Sequence, residues 1–348
     1  MRTFADVFDP RANGLNFVRL VLAAGVIVFH SVALSGGEIE FPPLYQFMGY
    51  VWVDGFFTVS GFLILRSWLS KPMWWRYLFA RLIRIYPAFW VCLLVTAFVI
   101  APVAGVIANG GSWGQQISGA NLEYFLGNAT LVITQYDIAG TPADVPYPGA
   151  WNGSLWTLVW EFGCYLAVLA LGLIGAFRWR HTVLVVFGAA LLLQILGDVG
   201  IVSHPLLHLA SRFGLMFAAG MVLHQYSHRI PLTWPLVGLA GVVLVGSMFL
   251  SDYRIVGALF LAYVALGTGA LIKARWARLR NDISYGTYIY AFPMQQLLAT
   301  MGVFAWGLLP FVVLSIIATA IPAAASWFLV EKPALRLKPR SRTLPVSR

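Results

Sequence analysis

The chain has 348 residues, of which 60% are hydrophobic and 10% are charged. A water-soluble domain carries about 25% charged residues, so this composition excludes an ordinary soluble globular protein. The formal net charge of +10 would suggest nucleic-acid binding in a soluble chain. In a membrane protein such charge marks the cytoplasmic loops instead, and no nucleic-acid partner is expected.

Apolar runs of about 20 residues recur along the chain, which is the length that a transmembrane helix requires. They predict an all-α, polytopic integral membrane protein with ten transmembrane helices in a lipid bilayer. The predicted spans are residues 15–34, 46–67, 85–107, 154–176, 182–201, 206–225, 232–250, 255–273, 283–303 and 309–330. The N-terminal residues show no pattern of a cleavable signal peptide, so the first span is expected to remain in the protein as a transmembrane helix. Residues 1–333 are expected to form one transmembrane domain, and residues 334–348 a basic cytoplasmic tail.

Lysine and arginine fall in alternate connections between the predicted spans. They cluster after the second, fourth, sixth and eighth spans and in the tail, whereas residues 101–153 contain none. Arg254 is the one exception on the opposite side. Because cytoplasmic loops carry the positive charge, both termini are predicted to be cytoplasmic. A missed span would place some basic connections on the opposite side of the membrane, so the regular alternation of basic and non-basic connections also supports the even number of spans.

Two ionisable residues share one face of the first span. Arg19 lies near its cytoplasmic end and His30 near its outer end. The helical segment from Arg19 to His30 makes close to three turns and is about 16 Å long. Ionisable side chains inside a bilayer are costly and usually face a bundle interior or a wet cavity. This face is a candidate functional site, although a lone histidine can also serve only for packing. Arg76, Arg81 and Arg84 lie where a phosphate-bearing cytoplasmic ligand would enter, or are positive-inside anchors.

Three further ionisable residues are predicted at the depth of His30. Counted along their spans at about 1.5 Å per residue, Asp54 and Glu161 lie about 12 and 10 Å inside the outer surface, and Arg212 enters at a similar depth. A neutral histidine with a carboxylate on its other nitrogen is the usual general base for a hydroxyl. Asp54 or Glu161 is thus a candidate partner of His30. Alternatively, Asp54 pairs with Arg212 and only holds two helices together.

The aromatic and cysteine residues allow more than one interpretation. Trp151 and Trp156 either belong to an interfacial belt or stack on a sugar ring. The connection 108–153 has the length that is typical of functional loops. Cys92 and Cys164 lie in apolar runs, which favours buried thiols over a disulfide or a metal pair. No metal cofactor is expected.

Four sequence stretches follow one another in a recognisable order. They are Arg19 with His30 at an Arg-x10-His spacing, VDGFFTVSGFLI (53–64) with FARLIRIYPAFW (79–90), SLWTLVWEFGCYL (154–166), and ISYGTYIYAFP (283–293) with VEKP (330–333). Together they resemble the membrane acyltransferases of family 3, which modify bacterial surface polysaccharides with acetyl or other acyl groups. Ala291 stands where many members of that family have histidine, so no role is expected at that position.

The resemblance implies a ten-helix domain in the bacterial cytoplasmic (inner) membrane, an acyl-CoA donor on the cytoplasmic side and a saccharide acceptor. It implies that Arg19 and His30 are essential and that Glu161, Arg81 and Arg84 contribute. The extra extracytoplasmic esterase-like domain of some relatives is not expected here. The membrane domain would then complete the transfer itself or hand the acyl group to a partner.

The sequence therefore predicts an integral membrane O-acyltransferase and, more specifically, an O-acetyltransferase. It would move an acyl group from acetyl-CoA to a hydroxyl of a cell-envelope saccharide or lipid-linked glycan. The predicted catalytic residues are His30, Arg19, Glu161 and Asp54. The predicted donor-binding residues are Arg81, Arg84, Arg76 and Ser60, and the predicted acceptor-binding residues are Trp151, Ser154, Trp156, Tyr285 and Tyr288.

Two steps of the predicted mechanism stay open at the level of sequence. His30 acts either as a base or as a transient acyl carrier. Arg19, Ser60 or Tyr285 is the candidate donor to the oxyanion.

Two other functions fit parts of the sequence. A transporter or flippase of a lipid-linked saccharide would also need a polar interior, but the spans show no inverted-repeat symmetry with paired broken helices. A structural or sensory membrane subunit would leave the face shared by Arg19 and His30 without an explanation.

Overall fold

The computed structural model describes residues 1–338. This part is 73% helical and contains no β-strand, so the all-α class is confirmed. Its long helices are α1 (Leu15–Leu34), α2 (Pro42–Ser70), α3 (Trp74–Asn109), α4 (Thr157–Leu173), α5 (Thr182–Asp198), α6 (Pro205–Gln225), α7 (Trp234–Ser247), α8 (Arg254–Leu271), α9 (Ser284–Thr300) and α10 (Leu308–Arg336).

Each predicted span overlaps one of these helices, and the number of ten membrane crossings stays a prediction. Six of them, α1, α2, α3, α6, α8 and α10, are long and apolar enough to cross a membrane. Helices α4, α5 and α7 are shorter but also apolar. A polytopic helical membrane protein is thus confirmed, and the cytoplasmic orientation of both termini stays a prediction.

Helix α3 begins earlier than the sequence predicted. It starts at Trp74 instead of residue 85, so Arg76, Arg81 and Arg84 lie on the helix and not in the connection before it. The first turns of α3 are amphipathic, and the apolar side chains between these arginines keep the chain helical. Arg81 and Arg84 are three residues apart and therefore share a face of α3.

Helix α10 extends beyond residue 330 and reaches Arg336, so the beginning of the predicted tail is helical. Residues 339–348 of that tail lie outside the described part. A π-helical turn at Trp327–Glu331 interrupts α10, and such turns are frequent at functional sites. The Glu331 side chain is buried, 2% exposed, and it points toward the interior that is described below.

The interior of the bundle is formed where α1 packs against α2, α9 and α10, and where α2 packs against α4 and α6. Helix α3 contacts α4 and α9. These elements carry nearly all the ionisable residues that the sequence singled out. The packing therefore brings most of the candidate site residues toward this shared interior.

Helices α2 and α6 approach each other most closely at Gly61 and Gly220. A Cβ atom on Gly61 would lie 1.9 Å from the Phe217 carbonyl oxygen, and one on Gly220 would lie 1.9 Å from the Thr58 carbonyl oxygen. We expect Gly61→Ala to lower the free energy of unfolding by about 1–3 kcal/mol or more, because the backbones of α2 and α6 must move apart to make room for the added methyl group. Thermal unfolding of the purified protein in detergent measures this. Gly214→Ala on α6 is the control, since a Cβ there meets no atom within 4 Å; equal melting temperatures would contradict the prediction.

Candidate active site

Four neighbouring cavities follow one another in the interior between α1, α2, α4 and α9. We call them the basic cavity, the waist, the histidine cavity and the vestibule, and their volumes are about 250, 30, 180 and 430 Å³. Each shares lining side chains with the next. The shared sets are Arg19, Glu161 and Tyr285, then Val53, Thr157 and Tyr288, and then Phe29, His30 and Tyr45.

The basic cavity lies at the predicted cytoplasmic end of this row. Arg19 from α1 and Arg81 and Arg84 from α3 line it. Asp282, in the connection before α9, accepts a hydrogen bond from Arg19 and another from Arg84 Nη2 at 2.6 Å. Arg84 Nη1 also donates to Glu331 Oε2 at 3.3 Å. Arg84 is thus held by two carboxylates, whereas Arg81 forms no ion pair within residues 1–338.

Asp282 is the carboxylate that joins α1 to α3. Burial alone would raise the pKa of Asp282, but the Arg19 and Arg84 guanidinium groups outweigh this effect and hold the pKa at about 2. Ser284 Oγ supports the same carboxylate through a hydrogen bond to Oδ1 at 2.5 Å. Asp282 is therefore ionised at any physiological pH. It fixes the positions of the two arginines and does not exchange protons.

Glu161 faces the basic cavity and the waist. Its Oε1 accepts hydrogen bonds from Ser60 Oγ at 2.7 Å and from the Tyr165 hydroxyl at 2.6 Å. These bonds hold the carboxylate between α2 and α4. Ser60 thus lies in the basic cavity, where the sequence predicted a donor-binding residue, but its hydroxyl proton is used by Glu161.

Two tyrosines of α9 border the waist. The Tyr285 hydroxyl donates to the Ile85 carbonyl at 3.0 Å. The Tyr288 hydroxyl lies 2.9 Å from the Ser154 carbonyl oxygen and 2.5 Å from Thr157 Oγ1. Because both hydroxyls bind neighbouring elements, the rings are fixed and the passage between the basic and histidine cavities is narrow.

His30 lies where the histidine cavity meets the vestibule. Its Nδ1 atom is buried and has no hydrogen-bond partner within the described residues, so Nε2 is the ring nitrogen that reaches the cavity. The ring packs edge-on against Phe292, with ring centroids 5.2 Å apart. On the same helix, Gly25 has no Cβ atom, and the Trp52 ring packs directly against its backbone. An imidazole that is open on one nitrogen can accept a proton from a bound hydroxyl.

Asp54 lies in a buried ion cluster between α2, α6 and α8 and lines none of the four cavities. Its Oδ2 accepts hydrogen bonds from Arg254 Nε and the Tyr253 hydroxyl, both at 2.6 Å, and its Oδ1 accepts one from Arg212 Nε at 3.2 Å. The alternative pairing of Asp54 with Arg212 is therefore observed. His30 makes no hydrogen bond with Asp54 or Glu161, contrary to the prediction. Glu161 lines the basic cavity and the waist with Arg19 and does not line the histidine cavity, so counting residues along each helix did not place Glu161 beside His30.

Of the three predicted acceptor-binding residues near the third motif, two line the histidine cavity. They are Ser154 and Trp156. Trp151 is fully buried, 0% exposed, and its Nε1 donates to Thr141 Oγ1 at 3.2 Å. Trp151 therefore has no free face for a sugar ring, which corrects the prediction for this residue.

Arg76 does not reach the basic cavity. Its guanidinium lies 5.0 Å from the centre of the Trp75 ring, and it is absent from the lining that includes Arg81. Five residues on an α-helix turn the side chain by about 140°, so these two arginines point in different directions. The prediction that both bind the same donor is corrected accordingly.

Three charged residues form ion pairs with predicted site residues but were not themselves singled out for this from the sequence. They are Arg254, Asp282 and Glu331. Each had a signal in the sequence, because Arg254 is the exception to the charge alternation, Asp282 directly precedes the fourth motif, and Glu331 lies in VEKP. Their partners, however, come from helices far away in the chain.

Known proteins resemble this chain over almost its whole length. A family described as an acyltransferase domain matches residues 12–327. An O-acetyl transferase of Shigella phage Sf6 is 27% identical over 337 residues, which cover 92% of this chain and 96% of that protein. Nodulation protein 10 of Rhizobium leguminosarum bv. viciae is 25% identical over 364 residues, which cover 94% of each chain. No solved structure matches the chain.

Proposed function

The chain belongs to the family 3 membrane acyltransferases, and on that premise we propose that it transfers an acetyl group from acetyl-CoA to a hydroxyl of a cell-envelope saccharide. The observation that carries the proposal is the row of cavities. Through shared lining side chains, the row places a basic cavity, which suits a phosphate-bearing donor, close to the cavity of His30, which suits a hydroxyl acceptor. The predicted orientation turns the basic cavity toward the cytoplasm, where coenzyme A esters are found.

The charges of the basic cavity favour the phosphates of coenzyme A. Four cations and two carboxylates line it, namely Arg19, Arg81, Arg84 and Lys338, and Glu161 and Asp282. Arg84 and Arg19 are already bound to Asp282, so among the cavity arginines Arg81 is the one that has no ion pair within residues 1–338 and whose guanidinium can bind a phosphate. The planar fork of an arginine suits two phosphate oxygens at once.

The waist favours a short acyl group. Its volume is about 30 Å³, which is enough for only about two water-sized groups. Phe56, Phe57 and Leu158 form its apolar wall. An acetyl group has three heavy atoms and suits this space, whereas a fatty acyl chain would have to displace the wall. The relative that is called an O-acetyl transferase supports the same choice.

The histidine cavity and the vestibule favour a saccharide acceptor. Tyr45 and Tyr147 line the vestibule and offer aromatic faces to a sugar ring. The acceptor hydroxyl would bind at His30 Nε2, which takes its proton as the oxygen attacks the thioester carbonyl carbon. The new C–O bond replaces the C–S bond, and the coenzyme A thiolate leaves through the basic cavity and takes up a proton.

The donor site predicts a difference between two arginines of the same helix. We expect Arg81→Ala to raise the KM for acetyl-CoA about 10- to 100-fold, since a hydrogen bond to a charged group contributes about 1.5–3 kcal/mol. Steady-state release of free coenzyme A measures this. Arg76→Ala is the matched control and should leave KM unchanged, because Arg76 is outside the basic cavity. A larger effect at Arg76 would contradict this assignment.

The proposed function is tested with the purified protein in lipid nanodiscs. Acetyl-CoA is added with and without surface glycan from the host strain, and free thiol and glycan-bound acetyl groups are measured. The proposal expects acceptor-dependent thiol release and acetylated glycan, and little turnover with palmitoyl-CoA. Movement of a lipid-linked saccharide across a vesicle membrane without thiol release would favour the transporter instead.

A further inference from the structure

The histidine cavity, which His30 lines, is also lined by one residue within residues 1–338 that carries a permanent positive charge. Arg212 of α6 lines the cavity, and no aspartate or glutamate within residues 1–338 does so. A cation at a low-dielectric site attracts negative charge strongly. The cavity is therefore suited to a group that is, or becomes, negatively charged.

Asp54 engages only part of the Arg212 guanidinium. The shorter hydrogen bonds of Asp54 go to Arg254 and Tyr253, and Arg212 donates only its Nε, at 3.2 Å. Within residues 1–338, neither terminal nitrogen of Arg212 has a hydrogen-bond partner and neither is fully buried, so both are available on the side chain that lines the cavity. Asp54 thus orients Arg212 and leaves its Nη groups available as donors.

The guanidinium of Arg212 is also held rigidly by aromatic rings. Its central carbon lies 4.6 Å from the centre of the Tyr50 ring and 4.9 Å from that of Phe213. Arg254 contacts the same Tyr50 ring at 4.4 Å but does not line the cavity. The side chain of Arg212 is 11% exposed. Donors that are fixed in advance stabilise a developing charge without the cost of reorganisation.

We propose that Arg212 is a catalytic residue that stabilises the oxyanion of the acyl-transfer reaction. This inference rests on the proposed function. When the acceptor oxygen attacks the thioester carbonyl and His30 takes the proton, the carbonyl electron pair moves to oxygen. The Arg212 Nη groups donate to that oxyanion until the C–S bond breaks and the thiolate leaves. The candidates from the sequence, Arg19, Ser60 and Tyr285, line the basic cavity and not the cavity of His30.

Binding of an anionic acceptor is the other use of a free guanidinium. The vestibule argues against it, because the exposed Glu38 lines the route by which the acceptor enters. A carboxylate there repels an anionic sugar before it reaches Arg212. Charge that develops only at His30 during the reaction does not meet this obstacle.

The test compares Arg212→Lys with Arg254→Lys in nanodiscs. Each lysine keeps a positive charge for Asp54, but only Arg212→Lys removes donors from the histidine cavity. We expect Arg212→Lys to lower kcat at least about 100-fold, with the KM for the acceptor within about threefold. Arg254→Lys should keep kcat within about threefold even where its melting temperature falls. Guanidinium ion should restore part of the kcat of Arg212→Ala.

Three outcomes would overturn the proposal. An effect of Arg212→Lys on the acceptor KM alone would assign Arg212 to binding of an anionic acceptor. An equal loss of kcat in Arg254→Lys would assign it to the fold. A kcat of Arg212→Lys close to that of an active parent protein would leave it no catalytic role. Inactivity of the parent protein with acetyl-CoA is a different result, since it rejects the proposed function on which this inference rests.

Discussion

Replacing His30 by alanine should lower the rate of acetyl transfer at least about 100-fold and up to about 10⁴-fold, the range that a general base contributes. His30 Nε2 is the basic nitrogen that reaches the histidine cavity, so the variant has no group there to take the proton of the acceptor. The rate is measured as acetyl groups transferred to glycan by the purified protein.

The variant should remain folded in the membrane, because alanine is well tolerated in a helix and the His30 side chain makes no hydrogen bond within the described part of the chain. His224→Ala is the matched control, since His224 lies on α6, packs edge-on against Phe62 and lines none of the four cavities. It should transfer acetyl groups at the normal rate. Normal transfer by His30→Ala would reject the assignment of the base.

Replacing Asp54 by alanine should destabilise the protein by about 3–5 kcal/mol, the usual cost of removing one partner of a buried ion pair. The change would leave Arg254 and Arg212 without the carboxylate that they share, although Asp252 still binds Arg254 Nη1. Thermal unfolding in detergent measures the loss. The result decides between the structural role that the geometry supports and the catalytic role that the sequence predicted.

The control for Asp54 is another aspartate that accepts a hydrogen bond at the surface. Asp198 is exposed and accepts from Ser251 Oγ at 2.6 Å, and Asp198→Ala should change stability by less than about 0.5 kcal/mol. An Asp54→Ala protein that melts normally but has lost transfer activity would show that Asp54 is catalytic.

The helices were predictable from the sequence because burial in a bilayer requires long apolar runs. The start of α3 was missed for the same reason. Arg76, Arg81 and Arg84 lower the hydropathy of residues 74–84, although this segment is amphipathic and helical. Charge patterns alone do not distinguish a basic loop from a basic helix face.

The sequence predicted which residues line the candidate site better than it predicted which side chains pair with each other. Arg19 and His30 do lie on one helix that borders the interior, but they line different cavities, with the waist between them. Glu161 binds Ser60 and not His30. Side-chain pairing depends on how each helix is rotated about its axis, and close contacts such as that between α2 and α6 determine this rotation.

The partners of Arg19 and Arg254 could not be derived from local sequence. Asp282 is 263 residues from Arg19 in the chain, and Asp54 is 200 residues from Arg254. Such pairs follow from the packing of the whole bundle. Each charged residue alone indicated that it needs a partner, but it did not identify that partner.

The most direct test of the account is proton NMR of the surface glycan from a strain in which the gene is deleted. The strain is complemented either with the intact gene or with the His30→Ala variant, and both proteins are checked for equal amounts in the membrane. We predict that O-acetyl signals disappear on deletion and return only with the intact gene, and that the spectrum identifies the acetylated hydroxyl. O-acetyl signals that return equally with both genes, or that never depended on the gene, would contradict the account.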